Sequence, residues 1–281
     1  MKKLIKKIWS LIKFCFYCAV ALLIYTVCVE PYMLEATPYV VENHALSGVK
    51  IVFATDFHVG PYPWEKWRLQ RIVRKINEQN PDLVLLGGDY VRGHEKSSTM
   101  TPQEIAAALQ QINAPKVAVL GNHDSYYGKE EVEQALTSAG ITVLSNSNVR
   151  MRVKNKWVTI AGVRDAITDT PLVEDALADS EPPVIFLTHD PDVFEQIKGH
   201  AAIAFAGHTH GGQIVVPFMD KSVFTIINPE FVQKYRYGLF YDKSSLLLVS
   251  SGLGTSILPM RFNSRPEIVS VTFEGFFRYF Y

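Results

Sequence analysis

The chain has 281 residues, enough for one large domain or two modest ones around a sizeable core. Its 28 basic and 28 acidic side chains cancel, which removes the charge excess of a nucleic-acid binder, and no stretch has the low-hydrophobicity, high-charge make-up of disorder. The three cysteines, Cys15, Cys18 and Cys28, all fall in the apolar N-terminal segment, so a disulfide framework and a thiolate metal site are excluded from the rest of the chain.

The N-terminus carries Lys2, Lys3, Lys6, Lys7 and Lys13, followed by a charge-free run from Phe14 to Val29. Extended back to Ile8, the apolar stretch reaches the roughly 20 residues that a bilayer-spanning helix needs. Trp9 and Tyr32 are placed for the two interfaces. A cleaved signal peptide would have a shorter apolar region ending in a small-x-small site. Here the run ends in Val27-Cys28-Val29-Glu30-Pro31, which favours an uncleaved single-pass anchor over residues 1–32. The lysines predict an N-terminus in the cytoplasm and a domain outside the cytoplasmic membrane. Leu4, Ile5, Ile8, Leu11 and Ile12 set against the lysines give an alternative, an interfacial helix that would leave the domain cytoplasmic. Residues 33–48 read as a linker and 49–281 as the main domain.

In that domain short apolar runs recur at Ile51–Ala54, Leu83–Leu86, Val117–Leu120, Val158–Ala161, Val184–Leu187 and Ala202–Ala206, bounded by Gly, Asp, Asn or Pro, as expected for buried strands. Helical patterns lie between several of them. Leu69, Ile72, Val73 and Ile76 share one helix face, closed by Asn80-Pro81. Thr101-Pro102-Gln103-Glu104 is a capping box, and Ile105, Leu109 and Ile112 follow as the buried face. A third helix is expected over Lys129–Ala139, before Gly140. Alternating strands and helices predict an α/β domain. The later runs Met151–Val153, Trp157–Ile160, Gln213–Val216, Leu246–Ser250 and Ile268–Phe273 predict a second sheet packed on the first. The aromatic tail Phe276–Tyr281 suits a final strand over the core or a bilayer contact.

Five motifs follow strands in one order: Asp56-Phe57-His58, Gly88-Asp89, Gly121-Asn122-His123-Asp124, Thr188-His189-Asp190 and Gly207-His208-Thr209-His210. Loops at strand ends are the usual ligand edge of an α/β sheet. Asp56 and His58 are two apart, so in extended backbone both face one ion, and the same holds for His208 and His210. The Asp89 carboxylate suits a bridge between cations, Asn122 offers a neutral oxygen and His189 another imidazole. Imidazole and carboxylate without thiolate suit Mn, Fe, Zn or Co better than a calcium cage. The set exceeds the needs of one ion but matches two ions about 3.5–4 Å apart, an arrangement that serves displacement at phosphorus. No Gly-x-Ser-x-Gly elbow and no domain cysteine is present, which argues against covalent catalysis.

This ordered pattern, complete from residue 56 to residue 210, resembles the calcineurin-like metallophosphoesterase superfamily. Gly207–Gln213 and Arg261–Glu267 are similar to a membrane-anchored bacterial branch that includes UDP-2,3-diacylglucosamine pyrophosphatases. The resemblance implies a β-sandwich of two mixed sheets flanked by helices. It implies one ion held by Asp56, His58, Asp89 and His210, and a second held by Asp89, Asn122, His189 and His208. It makes His123 the group that faces the phosphoryl oxygen and protonates the leaving group, with Asp124 orienting it. The implied activity is phosphodiester or phosphomonoester hydrolysis with a metal-bridging hydroxide as nucleophile, on a substrate that is lipid-linked in one version. The alternatives are a UDP-2,3-diacylglucosamine-type pyrophosphatase, whose cytoplasmic substrate conflicts with the lysine-based orientation, and a metal-stabilised scaffold without catalysis. Tyr126, Arg164 and Arg261 are the candidate substrate contacts.

Overall fold

Strand ends decide where this domain can put a site. The structure, a computed structural model, describes residues 2–93, 95–228, 233–242 and 245–275. The aromatic tail lies outside them.

The chain opens with α1 (Lys2–Ile24), a helix without a buried residue, continued by a π-helical turn at Tyr25–Val29 and a 3-10 turn at Glu30–Tyr32. It is long and apolar enough to cross a membrane. Then come β1 (Glu35–Glu42), β2 (Lys50–Ala54), α2 (Pro63–Glu78), β3 (Leu83–Leu86), α3 (Pro102–Leu109), β4 (Lys116–Ala118), α4 (Asn122–Ser138) and β5 (Thr142–Val143). The second half comprises β6 (Ser147–Val153), β7 (Lys156–Gly162), α5 (Val173–Leu177), β8 (Val184–Leu187), α6 (Phe194–Ile197) and β9 (Ile203–Ala206). It ends with β10 (Val215–Val216), β11 (Lys221–Ser222), α7 (Val223–Ile227), β12 (Gly238–Asp242), β13 (Ser245–Val249) and β14 (Glu267–Glu274).

Two six-stranded mixed sheets result, in the orders β1-β14-β2-β3-β4-β5 and β12-β13-β9-β8-β7-β6. Their central strands are parallel and buried on both sides, which is why they read as unbroken apolar runs. Alternate residues feed separate cores. Ile51, Phe53, Leu83 and Leu85 meet Ile160, Ile185, Ile203 and Phe205 between the sheets, and the rings of Phe53 and Phe205 lie 5.3 Å apart. Val52, Ala54, Val84 and Leu86 face α2, α3 and α4 instead. Phe186, Ala204 and Val249 face the helices over the second sheet. The sequence reading of two mixed sheets flanked by helices holds.

Two expectations change. The span expected to be a linker contains β1, which pairs in parallel with β14 along its full length. As an edge strand it buries only Val41 and tolerates Pro38, so it lacks the apolar run that marks the central strands. The third helix starts at Asn122, seven residues earlier than expected, and bends at Gly128, whose φ is 142°.

The α1 segment is not loosely tethered. Thr26 and Glu30 are buried at its base. The Arg261 N–H donates to the Thr26 carbonyl (2.9 Å), the Ser264 N–H to Glu30 Oε1 (2.8 Å), and Arg71 Nη1 to the Tyr32 carbonyl (2.7 Å).

Candidate metal centre

Parallel register aligns Ala54 with Leu86 and Leu86 with Ala118, so β2, β3 and β4 end at one rim. Leu187 aligns with Phe205 across β8 and β9, so the second sheet ends there too. The five motifs leave from these ends. Backbone bonds then carry the ladder into the loops: Asp56 N–H to the Gly88 carbonyl (3.0 Å) and His58 N–H to the Asp89 carbonyl (2.9 Å).

The Asp89 carboxylate sits at the middle. His123 N–H donates to its Oδ1 (2.8 Å), while Oδ2 lies 3.4 Å from His58 Nε2 and 3.3 Å from His189 Nε2. On the His58 side, His210 Nε2 is 3.1 Å from His58 Nε2 and 3.5 Å from Asp56 Oδ1. Asp56 is fixed by the His208 N–H, 3.1 Å from both its oxygens. On the other side the His208 ring stands edge-on to His189, 5.2 Å between centroids. His210 and His208 thus diverge, although extended backbone would have aimed both at one point. The reason is local: His208 and His210 have φ of 68° and 52°, and Asp56 and His58 of 56° and 42°.

Metal-free chemistry leaves this cluster poorly satisfied. Asn122 Oδ1 and His189 Nε2 are buried without a hydrogen-bond partner, whereas buried polar atoms are normally paired. His189 Nδ1 meets the Gly87 carbonyl at 2.8 Å, which turns Nε2 toward the Asp89 carboxylate, the usual outer-shell arrangement of a metal-ligating histidine. Burial pushes His58 and His210 well below the ordinary imidazole value, so both are neutral, as ligation requires. Burial alone would raise Asp89, but the neighbouring imidazoles hold it below the carboxylate range. Burial would likewise lower His189, and Asp89 instead raises it well above its ordinary value. Three groups of three side chains, Asp56-His58-His210, His58-Asp89-His123 and Asp56-Asp89-His189, each have ligand atoms within 4.8 Å of one another. Oxygen and neutral imidazole donors converging on a carboxylate fit divalent cations.

Glycines make the convergence possible. A Cβ on Gly121 would lie 2.2 Å from Asp89 Oδ1, and one on Gly207 would lie 2.5 Å from Asp56 Oδ2.

The remaining expectations separate. His123 lies beside the cluster, its ring edge-on to His58 at 4.6 Å, with Nδ1 2.7 Å from the Arg92 carbonyl. That carbonyl takes the orienting position expected of Asp124. Asp124 is fully buried and accepts the N–H groups of Asp89, Tyr90 and Gly121 at 2.8–2.9 Å and of Val91 at 3.3 Å, so it shapes the loop beneath the ligands. Burial and Asp89 push its carboxyl up to about 7, against the pull of those donors. Tyr126 stays at the site, half-exposed, 6.1 Å from the His123 ring.

Arg164 does not reach the cluster. It donates to Ser145 Oγ (3.0 Å), lies 3.5 Å from Asp169 and lines a separate small cavity. Arg261 is 0% exposed, so it cannot meet a substrate. Its guanidinium donates to the carbonyls of Ser251, Gly252, Gly254 and Ser264. Burial lowers it to about 10, still charged at neutral pH. It clamps the 251–254 loop, whose Gly252 and Gly254 press against Asp56 and His58. Sequence reasoning passed over this loop, although Ser250-Ser251-Gly252-Leu253-Gly254 after an apolar run is the same strand-end signal as the other motifs.

The sequence pattern of the calcineurin-like phosphoesterases matches residues 49–212. The chain is similar to the uncharacterized metallophosphoesterase YkuE of Bacillus subtilis, 30% identical over 88% of this chain and 87% of that protein. It is similar to the phosphodiesterase YaeI of Escherichia coli, 31% identical over 78% of this chain and 80% of that protein. A transmembrane protein with a metallophosphoesterase domain from Danio rerio is 30% identical over 82% of this chain and 54% of its own length.

Proposed function

We propose, for a chain that belongs to the calcineurin-like phosphoesterase family and is a metal-dependent phosphoester hydrolase, a two-ion centre at which a phosphodiester or phosphomonoester is cut by water. The observation that carries this reading is the Asp89 carboxylate, one oxygen tied to the His123 N–H and the other between His58 and His189. A carboxylate so placed would serve two cations, with Asp56, His58 and His210 holding the first and Asn122, His189 and His208 the second. When bound, the ions supply an activated water and neutralise charge on the phosphoryl oxygens.

The chain's own residues do the rest. Burial keeps the His58 and His210 imidazoles neutral, so each has one nitrogen free to bind an ion. The Gly87 carbonyl holds the His189 Nδ1 proton and aims Nε2 inward. The Arg92 carbonyl orients His123, which donates a proton to the departing oxygen. Asp124 holds the loop that carries Asp89. A binding scaffold without catalysis would need neither a poised His123 nor this full donor set.

The helix α1 anchors the enzyme as a single pass in the cytoplasmic membrane, with the domain on the extracytoplasmic side, as the N-terminal lysines favour. The substrate is then a phosphoester met at the membrane, lipid-linked in its most specific form. The decisive experiment takes purified full-length protein, strips it with a chelator and re-adds Mn, Fe, Zn or Co. Hydrolysis of bis-p-nitrophenyl phosphate should vanish and return, with two ions bound per chain. No turnover with any ion, or a single ion per chain, would overturn the reading. A reporter fused after Tyr281 tests the orientation.

A further inference from the structure

One cavity of about 400 Å³ opens on the proposed ligands, and its lining is of two kinds. The polar Asn122, His123 and His208 share it with the apolar Phe224, Ile227 and Ile257. Resting on the two-ion reading above, we propose that this apolar lining receives the hydrocarbon part of an amphiphilic phosphoester, a lipid drawn from the bilayer that holds α1.

Three observations support it. First, the apolar lining is not core. Ile227 is 76% and Ile257 81% exposed, and Phe218, on the β10–β11 turn, is fully exposed. Second, the exposure is held by strained backbone. Ile257 and Phe218 have φ of 57° and 66°, a region that a β-branched or bulky residue seldom enters. Packing does not offset that strain, because these side chains touch little. Gln213, itself at φ 53°, fixes the Ile257 loop by donating to the carbonyls of Ser256 and Leu258 and accepting the Ser256 N–H. Strain kept by such a clamp at the mouth of a site points to function.

Third, the apolar projections are continuous with the anchor. The Ile257 loop runs through Pro259 into Arg261, whose N–H bonds the base of α1 at Thr26. The hairpin of β10 and β11, with Phe218 and Met219 at its turn, is rooted on Phe262 through the Val215 N–H. Side chains of this kind, placed beside a membrane anchor and opening on a phosphoester site, suit a substrate with a polar head and an apolar tail.

The test uses full-length protein in nanodiscs and a series of alkyl p-nitrophenyl phosphates from methyl to octyl, each below its micelle-forming concentration. The octyl-to-methyl ratio of kcat/KM should be at least about tenfold, since burying methylenes is favourable. In Ile257→Asp and in Ile227→Asp that ratio should fall to about threefold or less. Both positions are exposed, so the variants fold, and the wild-type series stands without them. A series that is hydrolysed but flat, or a ratio unchanged in both variants, overturns the role of the apolar lining alone. Failure to hydrolyse any member with any divalent ion brings down the two-ion reading beneath it.

Discussion

Five of the seven proposed ligands, Asp56, His58, Asp89, His208 and His210, hold a left-handed backbone. Each costs about 1–2 kcal/mol in a residue with a Cβ. The short hops that turn the side chains of these loops onto the cluster need that conformation. His208→Gly should therefore be more stable than His208→Ala by about 1 kcal/mol in chelator, although glycine usually loses that comparison. Both variants lack the imidazole, so denaturant titration isolates the backbone, and equal stabilities would show that φ 68° costs nothing there. His123 is argued on a different ground. If it protonates the leaving oxygen, His123→Ala should keep both ions by elemental analysis. It should slow esters with alkoxide leaving groups by about 10²-fold or more, and p-nitrophenyl esters far less, because that leaving group needs no proton. The same loss on both kinds of ester would contradict the assigned role.

Loops between strand ends and helices set the spacing of the ligands, and glycine sets the spacing of the loops. Gly121 has an ordinary φ of −105°, so alanine there strains no backbone. Its Cβ would still collide with Asp89 Oδ1 and come within 2.8 Å of His189 Cε1. Gly121→Ala should lose at least about 10²-fold in activity, the scale of a misplaced reacting group, with the fold kept by circular dichroism. Wild-type turnover would mean the loops give way easily. Arg261 acts at the same scale, joining 251–254 to 264 through carbonyls only. Arg261→Lys replaces a five-donor fork with a point charge, and the acceptors it deserts should cost about 3 kcal/mol or more in chemical denaturation. The motifs were legible because each is local: an apolar strand, a turn, then a donor. The central strands were legible for the same reason. What escaped was long-range. Arg261 reads as a substrate contact until its four carbonyl partners are known, Asp124 reads as a partner of the histidine beside it until four N–H groups claim it, and β1 has no pattern apart from β14.

At the scale of the molecule, the two sheets end at one rim, and the base of α1 meets the loops of that rim. The base of α1 is bonded to the Arg261–Ser264 stretch, which in turn supports His210 through Ser264 Oγ and its carbonyl at 2.8 Å. The segment after α1 therefore belongs to the packing of the domain, and the span from Tyr25 to Tyr32 should stabilise it in solution. Buried Glu30 accepts the Ser264 N–H and the Thr26 carbonyl accepts the Arg261 N–H, about 1 kcal/mol each. For a domain of this size each kcal/mol moves Tm by about 2–4 °C. A chain begun at Tyr25 should melt at least about 5 °C above one begun at Met33 in the same detergent-free buffer by scanning calorimetry. Its metal-dependent activity should match that of the full chain on soluble esters, because the ligands lie downstream. Melting points within about 1 °C of each other would reduce the junction to a tether.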